Sequence, residues 1–142
     1  MAGPQFFTPK SVKPSRPRRR FTLEQANRSL PLVQRVVGDI VGTHAKVVKM
    51  QSAVEQSGAK SQELQHQIDD AMRHLDDYMD ELTEIGCELK DYQSGLIDFT
   101  GRHQGRDVCL CWRLGEQSVG HWHEIDSGFA GRQPVALLKE SD

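Results

Sequence analysis

Cys109-x-Cys111 and His121-x-His123 are the residues of this chain best suited to chemistry. On a β-strand, side chains two apart share a face, so each pair presents two ligands of the soft or borderline kind that zinc takes. Whether the pairs meet depends on the turn between them. An odd number of loop residues between Leu114 and Val119 puts both pairs on one face beside Arg113 and sends Trp112 and Trp122 to the core. A two-residue loop, for which Gly115 suits a type II′ turn, or a four-residue one sets His121 and His123 beside Trp112 instead. C-x-C with H-x-H is not a standard zinc spacing, since knuckles need two or more intervening residues. Buried structural cysteines and a satisfied histidine are therefore the plainer alternative.

Two further chemistries share this region. Asp98, His123, Glu124 and Arg132 are the polar groups expected to converge at the end of a sheet, where they would polarise and protonate a substrate as candidate catalytic residues. No nucleophile elbow, HExxH, P-loop or carboxylate dyad accompanies them, and a Glu124–Arg132 ion pair pinning the last loop explains the same residues without catalysis. Gly128-Phe-Ala-Gly131-Arg132 offers backbone donors beside a guanidinium, the ingredients of an anion nest. With Arg113 and Glu116 these residues (Gly128, Gly131 and Arg132) form the candidate ligand-binding set.

The elements that must hold these groups begin near Phe21. Thr22 and Gln25 make a capping box, and Pro31 is expected to end a short helix over 22–29 and restart a long one over 30–55. Val33, Val37, Ile40, His44, Val47, Gln51 and Val54 run down one side of the long helix. The segment 57–61, with Gly58, stops it. Over 61–86, Leu64, Ile68, Ala71, Leu75, Tyr78, Leu82 and Ile85 form a regular heptad seam. The two helices predict an antiparallel, coiled-coil-like hairpin. Glu63, Asp69, Asp70, Asp76, Asp77, Asp80 and Glu84 lie off that seam and read as a solvated face.

Past Gly86 the period becomes that of strands. Residues 95–99 read as a short strand. From Asp107 to Leu114, Val108, Leu110, Trp112 and Leu114 alternate with Cys109, Cys111 and Arg113, and Val119–Ile125 is the return strand. The expectation is an α+β fold: the long antiparallel helical hairpin packed on a small three-stranded antiparallel sheet.

With 142 residues, the chain is sized for one domain. The boundaries drawn are a disordered basic tail over 1–20, a domain over 21–138 (hairpin 21–86, sheet and last loop 87–138) and a tail over 139–142. The net charge of −2 hides an asymmetry, because Lys10, Lys13, Arg16, Arg18, Arg19 and Arg20 occur in the first twenty residues with no acid among them. Without interleaved aromatics or a reading motif, nucleic-acid contact by this tail is disfavoured against plain solvation. Three cysteines argue against a disulfide framework and for a reducing, cytoplasmic compartment. No apolar run reaches the length of a membrane span.

Several segments together carry a resemblance: Phe21–Asn27 with Leu30–Val33, Gly86–Asp91, Gly95–Phe99, Leu110–Glu116, Trp122–Glu124 and Gly128–Pro134. Over 21–135 the chain resembles a bacterial family of conserved hypothetical proteins, the domain-of-unknown-function family 2203. The resemblance implies a bacterial, cytosolic setting and supplies no mechanism. It also bears on the metal, because the family usually carries an aromatic residue where this chain has His121. A family metal would then draw on Cys87, Cys109, Cys111 and His123.

With catalytic signatures missing, the leading reading is a non-catalytic interaction or regulatory module, self-associating through the hairpin or binding a protein partner, and not an enzyme. No cofactor is predicted by that reading. The alternative is a small-ligand, anion or metal-binding protein, conceivably an enzyme, that uses the C-terminal sheet and loop; zinc is the ion it would take.

Overall fold

The computed structural model describes residues 19–57 and 62–140. Most of the basic tail, the helix stop at 58–61 and the last two residues of the C-terminal tail lie outside the described residues. Helix α1 (Leu23–Ser57) is followed by α2 (Gln62–Ile85), and then by strands β1 (Glu88–Asp91), β2 (Leu96–His103), β3 (Arg106–Arg113), β4 (His121–Glu124) and β5 (Gln133–Pro134). The strands pair in chain order as one antiparallel sheet. The α+β class holds, but the sheet has five strands where three were expected. The added strands are short edges. β1 has one half-buried apolar residue, Leu89, and β5 is only two residues long, so neither carries a strand pattern long enough to read.

The capping box forms as read. The Gln25 amide donates to Thr22 Oγ1 at 3.1 Å, and the Thr22 amide donates to Gln25 Oε1 at 3.0 Å. Pro31 does not split the helix: α1 runs unbroken for 35 residues with Pro31 inside it. An interior proline costs about 3 kcal/mol, and this one is offset by its neighbours. Ala26, Leu30, Val33, Val36 and Val37 are all buried in the common core. The Asn27 side chain, one turn before Pro31, accepts a hydrogen bond from the Val119 amide at 2.8 Å, which ties this turn to the sheet.

Val33, Val37, Ile40 and Val47 of α1 are buried with Ile68, Ala71, Leu75 and Leu82 of α2. Arg35, early in α1, pairs at 3.8 Å with Glu81, late in α2, so the two helices run antiparallel. The acidic residues from Glu63 to Glu84 expected on the outer face are all exposed. Phe21 meets Phe99 edge-on at 4.9 Å, which fastens the helix entry to the inner face of the sheet. That face carries Ile97, Phe99, Val108, Leu110, Trp112 and Trp122, all buried.

Both ends of the described chain are held by contacts. Arg20 bridges to Thr100 and pairs with Asp107 at 2.8 Å. At the other end, the Lys139 amide donates to His103 Nδ1 at 3.0 Å, and the Leu23 amide donates to Glu140.

Gly95, between β1 and β2, has φ +71°, and a Cβ there would stand 2.9 Å from both Leu114 Cβ and Val37 Cγ1. Gly115 also has a positive φ (+103°), but a Cβ there would meet nothing within 4 Å. Backbone strain therefore acts at both positions, and steric conflict with α1 only at Gly95. We predict that Gly95→Ala lowers stability by about 2–4 kcal/mol and Gly115→Ala by about 1–2 kcal/mol, read from urea midpoints. Equal losses would show that α1 does not lie against this turn.

Candidate metal centre

Cys109 lies opposite His123, and Cys111 opposite His121, across β3 and β4. The register is the odd one. Both tryptophans enter the core, and both ligand pairs share the outer face of the sheet. Asp98 of β2 faces Cys111 on the other side, so Asp98, Cys111 and His121 form one row across three strands. β3 is consequently buried on both faces from Val108 to Trp112.

Within this face Asp98, Cys111 and His123 converge, each offering one ligand atom, with all three atoms inside 4.8 Å of one another. His123 and Asp98 are buried at 3% and 7% exposure, and Cys111 is fully buried. The tautomer of His123 follows from its contacts. Nδ1 lies 2.7 Å from the Glu124 carbonyl, to which it must donate, and Nε2 lies 3.2 Å from Asp98 Oδ1. In a neutral ring that leaves a lone pair on Nε2 facing a carboxylate oxygen. A proton or a cation has to stand between them. Burial, followed by the Asp98 carboxylate, pushes the Cys111 thiol up to about 12, against the opposing pull of the Arg132 guanidinium.

Arg132 flanks the cluster and donates from Nη2 to both Glu116 oxygens at 2.8 and 3.0 Å. Its Nε and His121 Nδ1 are buried with no hydrogen-bond partner among the described residues. Phe129 lies under both Arg132 (4.7 Å) and Arg113 (5.5 Å). At the β1 edge, Glu88 is paired in register with Asp98 and holds Lys90 at 2.5 Å. Hydrogen bonding to Glu88 raises the Lys90 pKa against its burial, and the charges of Asp98 and Cys109 add to the effect.

The other sequence candidates fall elsewhere. Cys87 belongs to the hydrophobic core, where burial pushes its thiol up to about 12, and it does not join the cluster. Cys109 shares the outer face as the cross-strand neighbour of His123 but lies outside the three-residue group. Glu124 does not pair with Arg132; it binds Arg106 at 3.0 and 2.5 Å, and Arg132 takes Glu116 instead. Of the four candidate catalytic residues, therefore, only Asp98 and His123 meet, with Arg132 nearby. The amides of Gly131 and Arg132 donate to the Gly128 and Phe129 carbonyls, so these nest donors are spent within the turn. Lys90 and Glu88 were missed with β1 itself, for which the turn residues Asp91–Gly95 were the available signal.

These features define an α+β protein with a helical hairpin, a five-stranded antiparallel sheet and a buried Asp-Cys-His cluster on the outer sheet face. The chain belongs to the family described as uncharacterized conserved protein (DUF2203), whose model matches residues 19–135. No curated protein and no solved structure matches the chain.

Burial alone would raise the Glu116 carboxyl. Hydrogen bonds from Arg132 and the Arg113 amide, together with the Arg132 charge, outweigh it and hold the carboxyl below its ordinary 4.5. A depressed folded-state value stabilises the protein above the unfolded-state value, and that contribution is lost as pH falls through the folded one. We predict that Arg132→Ala costs about 1–3 kcal/mol at neutral pH and that the gap to the parent protein narrows in acid as Glu116 protonates. A gap unchanged with pH, in denaturant titrations, would show that Arg132 acts through packing alone.

Proposed function

We propose that this protein binds a single transition-metal ion of the zinc class through Asp98, Cys111 and His123. Of the two sequence readings, this develops the ligand- and metal-binding alternative. The observation that carries it is the convergence of three buried ligand atoms from three adjacent strands, one of them an imidazole nitrogen already oriented by its partner nitrogen. Metal-binding histidines are commonly fixed in this way by a hydrogen bond from the other ring nitrogen. One sulfur, one nitrogen and one carboxylate oxygen suit zinc. Zinc ligands stand about 2.0–2.3 Å from the ion, which places the ligand atoms of a tetrahedral shell about 3.3–3.8 Å apart, so a cluster whose atoms lie within 4.8 Å of one another closes on the ion by moving up to about 1 Å.

Three protein ligands leave a fourth position, as in zinc sites that take water or a small ligand. Arg132 and His121, with their unpartnered buried nitrogens, are the neighbouring polar groups. No catalytic step is proposed. An ion here would tie β2, β3 and β4 together and leave the helical hairpin available for the interaction role first read from the sequence. Three buried cysteines, none of them in a disulfide, fit a cytoplasmic, reducing setting.

Protein purified without chelator is expected to carry about one equivalent of zinc by elemental analysis, since structural zinc binds tightly. Cys111→Ser and His123→Gln should each weaken zinc binding by at least about tenfold, and Cys87→Ser should leave it unchanged. Less than about a tenth of an equivalent, with no uptake on adding zinc, would end the proposal.

A further inference from the structure

His103 ends β2 on the inner face of the sheet, in alternation with Ile97 and Phe99 and away from the Asp-Cys-His cluster. It is a buried histidine, 7% exposed, that the metal reading does not use. Its ring lies 4.3 Å from that of Trp122, and its Nδ1 accepts the Lys139 amide at 3.0 Å. A backbone amide can only donate, so Nδ1 carries a lone pair and the ring is neutral. The Gln104 amide donates to the Lys139 carbonyl at 2.8 Å, so both backbone groups of Lys139 are held by the end of β2 and its turn. One residue further, Glu140 accepts the Leu23 amide at the start of α1.

Residues 135–140 are otherwise lightly held. None of them is buried, Leu137 is 56% exposed, and only Val135 and Leu138 pack partly against the core. Segments with few buried contacts open at low cost in free energy, so the ties at Lys139 and Glu140 decide whether this one stays closed. A proton on His103 Nδ1 would set two donors against each other, so protonation and the Lys139 bond exclude one another. An imidazole changes its charge between about pH 5 and 8. The charged groups at this end of the inner face are Arg106, opposite His103 on β3, and Glu124 on β4, with Lys139 and Glu140 on the segment itself. Arg102, Asp107 and His123 alternate to the outer face. Arg106 binds Glu124 and holds its carboxyl below its ordinary 4.5, so a carboxylate is in place to favour an added proton on His103. We propose that residues 135–140 form a strap, latched by neutral His103 and released when that ring gains a proton. A latch that needs the neutral ring holds above the ring's titration and is lost as pH falls through it. Release uncovers the apolar surface under Val135 and Leu138 and frees the Leu23 amide at the head of α1.

The test is backbone relaxation NMR on the full chain between about pH 8 and pH 5, with the His103 ring nitrogens followed in the same titration. Order parameters of residues 137–140 should be about 0.85 at the alkaline end and below about 0.6 at the acid end. The midpoint of that fall should match the titration of the His103 ring. Residues 121–124, on the paired strand β4, should stay at about 0.85 throughout. His103→Leu keeps the apolar bulk against Trp122 but offers no acceptor, so its strap should be mobile at every pH. Order that does not change with pH would overturn the proposal, and so would a midpoint displaced from that of the ring. A strap still ordered in His103→Leu would contradict it as well. Mobility that spreads to 121–124 would show that the sheet opens instead of the strap. Should His103→Leu not fold, the titration of the native chain decides alone.

Discussion

Trp112 and Trp122 enter the core together only when the turn between β3 and β4 holds an odd number of residues, and the outer face of the sheet depends on that register. Side chains alternate strictly along a strand, so a one-residue slip would move every outer residue of β4 to the inner face. Trp112, Leu110 and Val108 are fully buried, Trp122 nearly so, and the indole of Trp112 donates to the Glu116 carbonyl at 3.0 Å. Burying large apolar side chains stabilises by a few kcal/mol each, more than any hairpin-turn preference contributes. The core therefore chooses the register, and the placement of Cys109, Cys111, His121 and His123 on one outer face follows from it.

That outer face is polar, yet much of it is buried. Asp98, Cys109, Cys111 and His123 sit beneath a surface that carries Arg132, Glu116 and Phe129. Burying ionisable groups is expensive unless they are paired, and the face is organised accordingly. Arg132 is paired with Glu116, Lys90 with Glu88, and His123 is held between the Glu124 carbonyl and Asp98. The pairing leaves a net demand at one point, where an imidazole lone pair and a carboxylate meet beside a thiol that burial keeps protonated. A proton or a cation between Nε2 and Asp98 meets that demand, and this need distinguishes the cluster from the surface ion pairs elsewhere on the molecule.

Much of this was legible in the sequence wherever one local rule acted alone. The capping box at Thr22 and Gln25, the seam of α2 and the alternation of β3 each rest on short-range periodicity or capping, and each formed as read. Pro31 was misread because local strain was weighed without the tertiary burial of Ala26, Leu30 and Val33 that offsets it. β1 and β5 owe their existence to pairing with β2 and β4, and an edge strand of two to four residues has no periodicity of its own. The cluster was half-visible: Asp98 and His123 were grouped as acid/base partners, and Cys111 and His123 as metal ligands. Sorting residues by chemistry separated what cross-strand register joins, since Asp98 faces Cys111 across β2 and β3. The partners of Glu124 and Arg132 were exchanged for a similar reason, because ion pairs follow strand neighbours that sequence spacing does not reveal.

The most direct measurement is zinc-edge X-ray absorption on protein loaded with one equivalent of the metal. A zinc ion held by Asp98, Cys111 and His123 gives a first shell containing a single sulfur at about 2.3 Å with nitrogen and oxygen ligands at about 2.0–2.2 Å, the sulfur disappearing in Cys111→Ser. A shell of oxygen and nitrogen alone, or one with two sulfurs, would contradict the assignment of Asp98, Cys111 and His123 as the ligands.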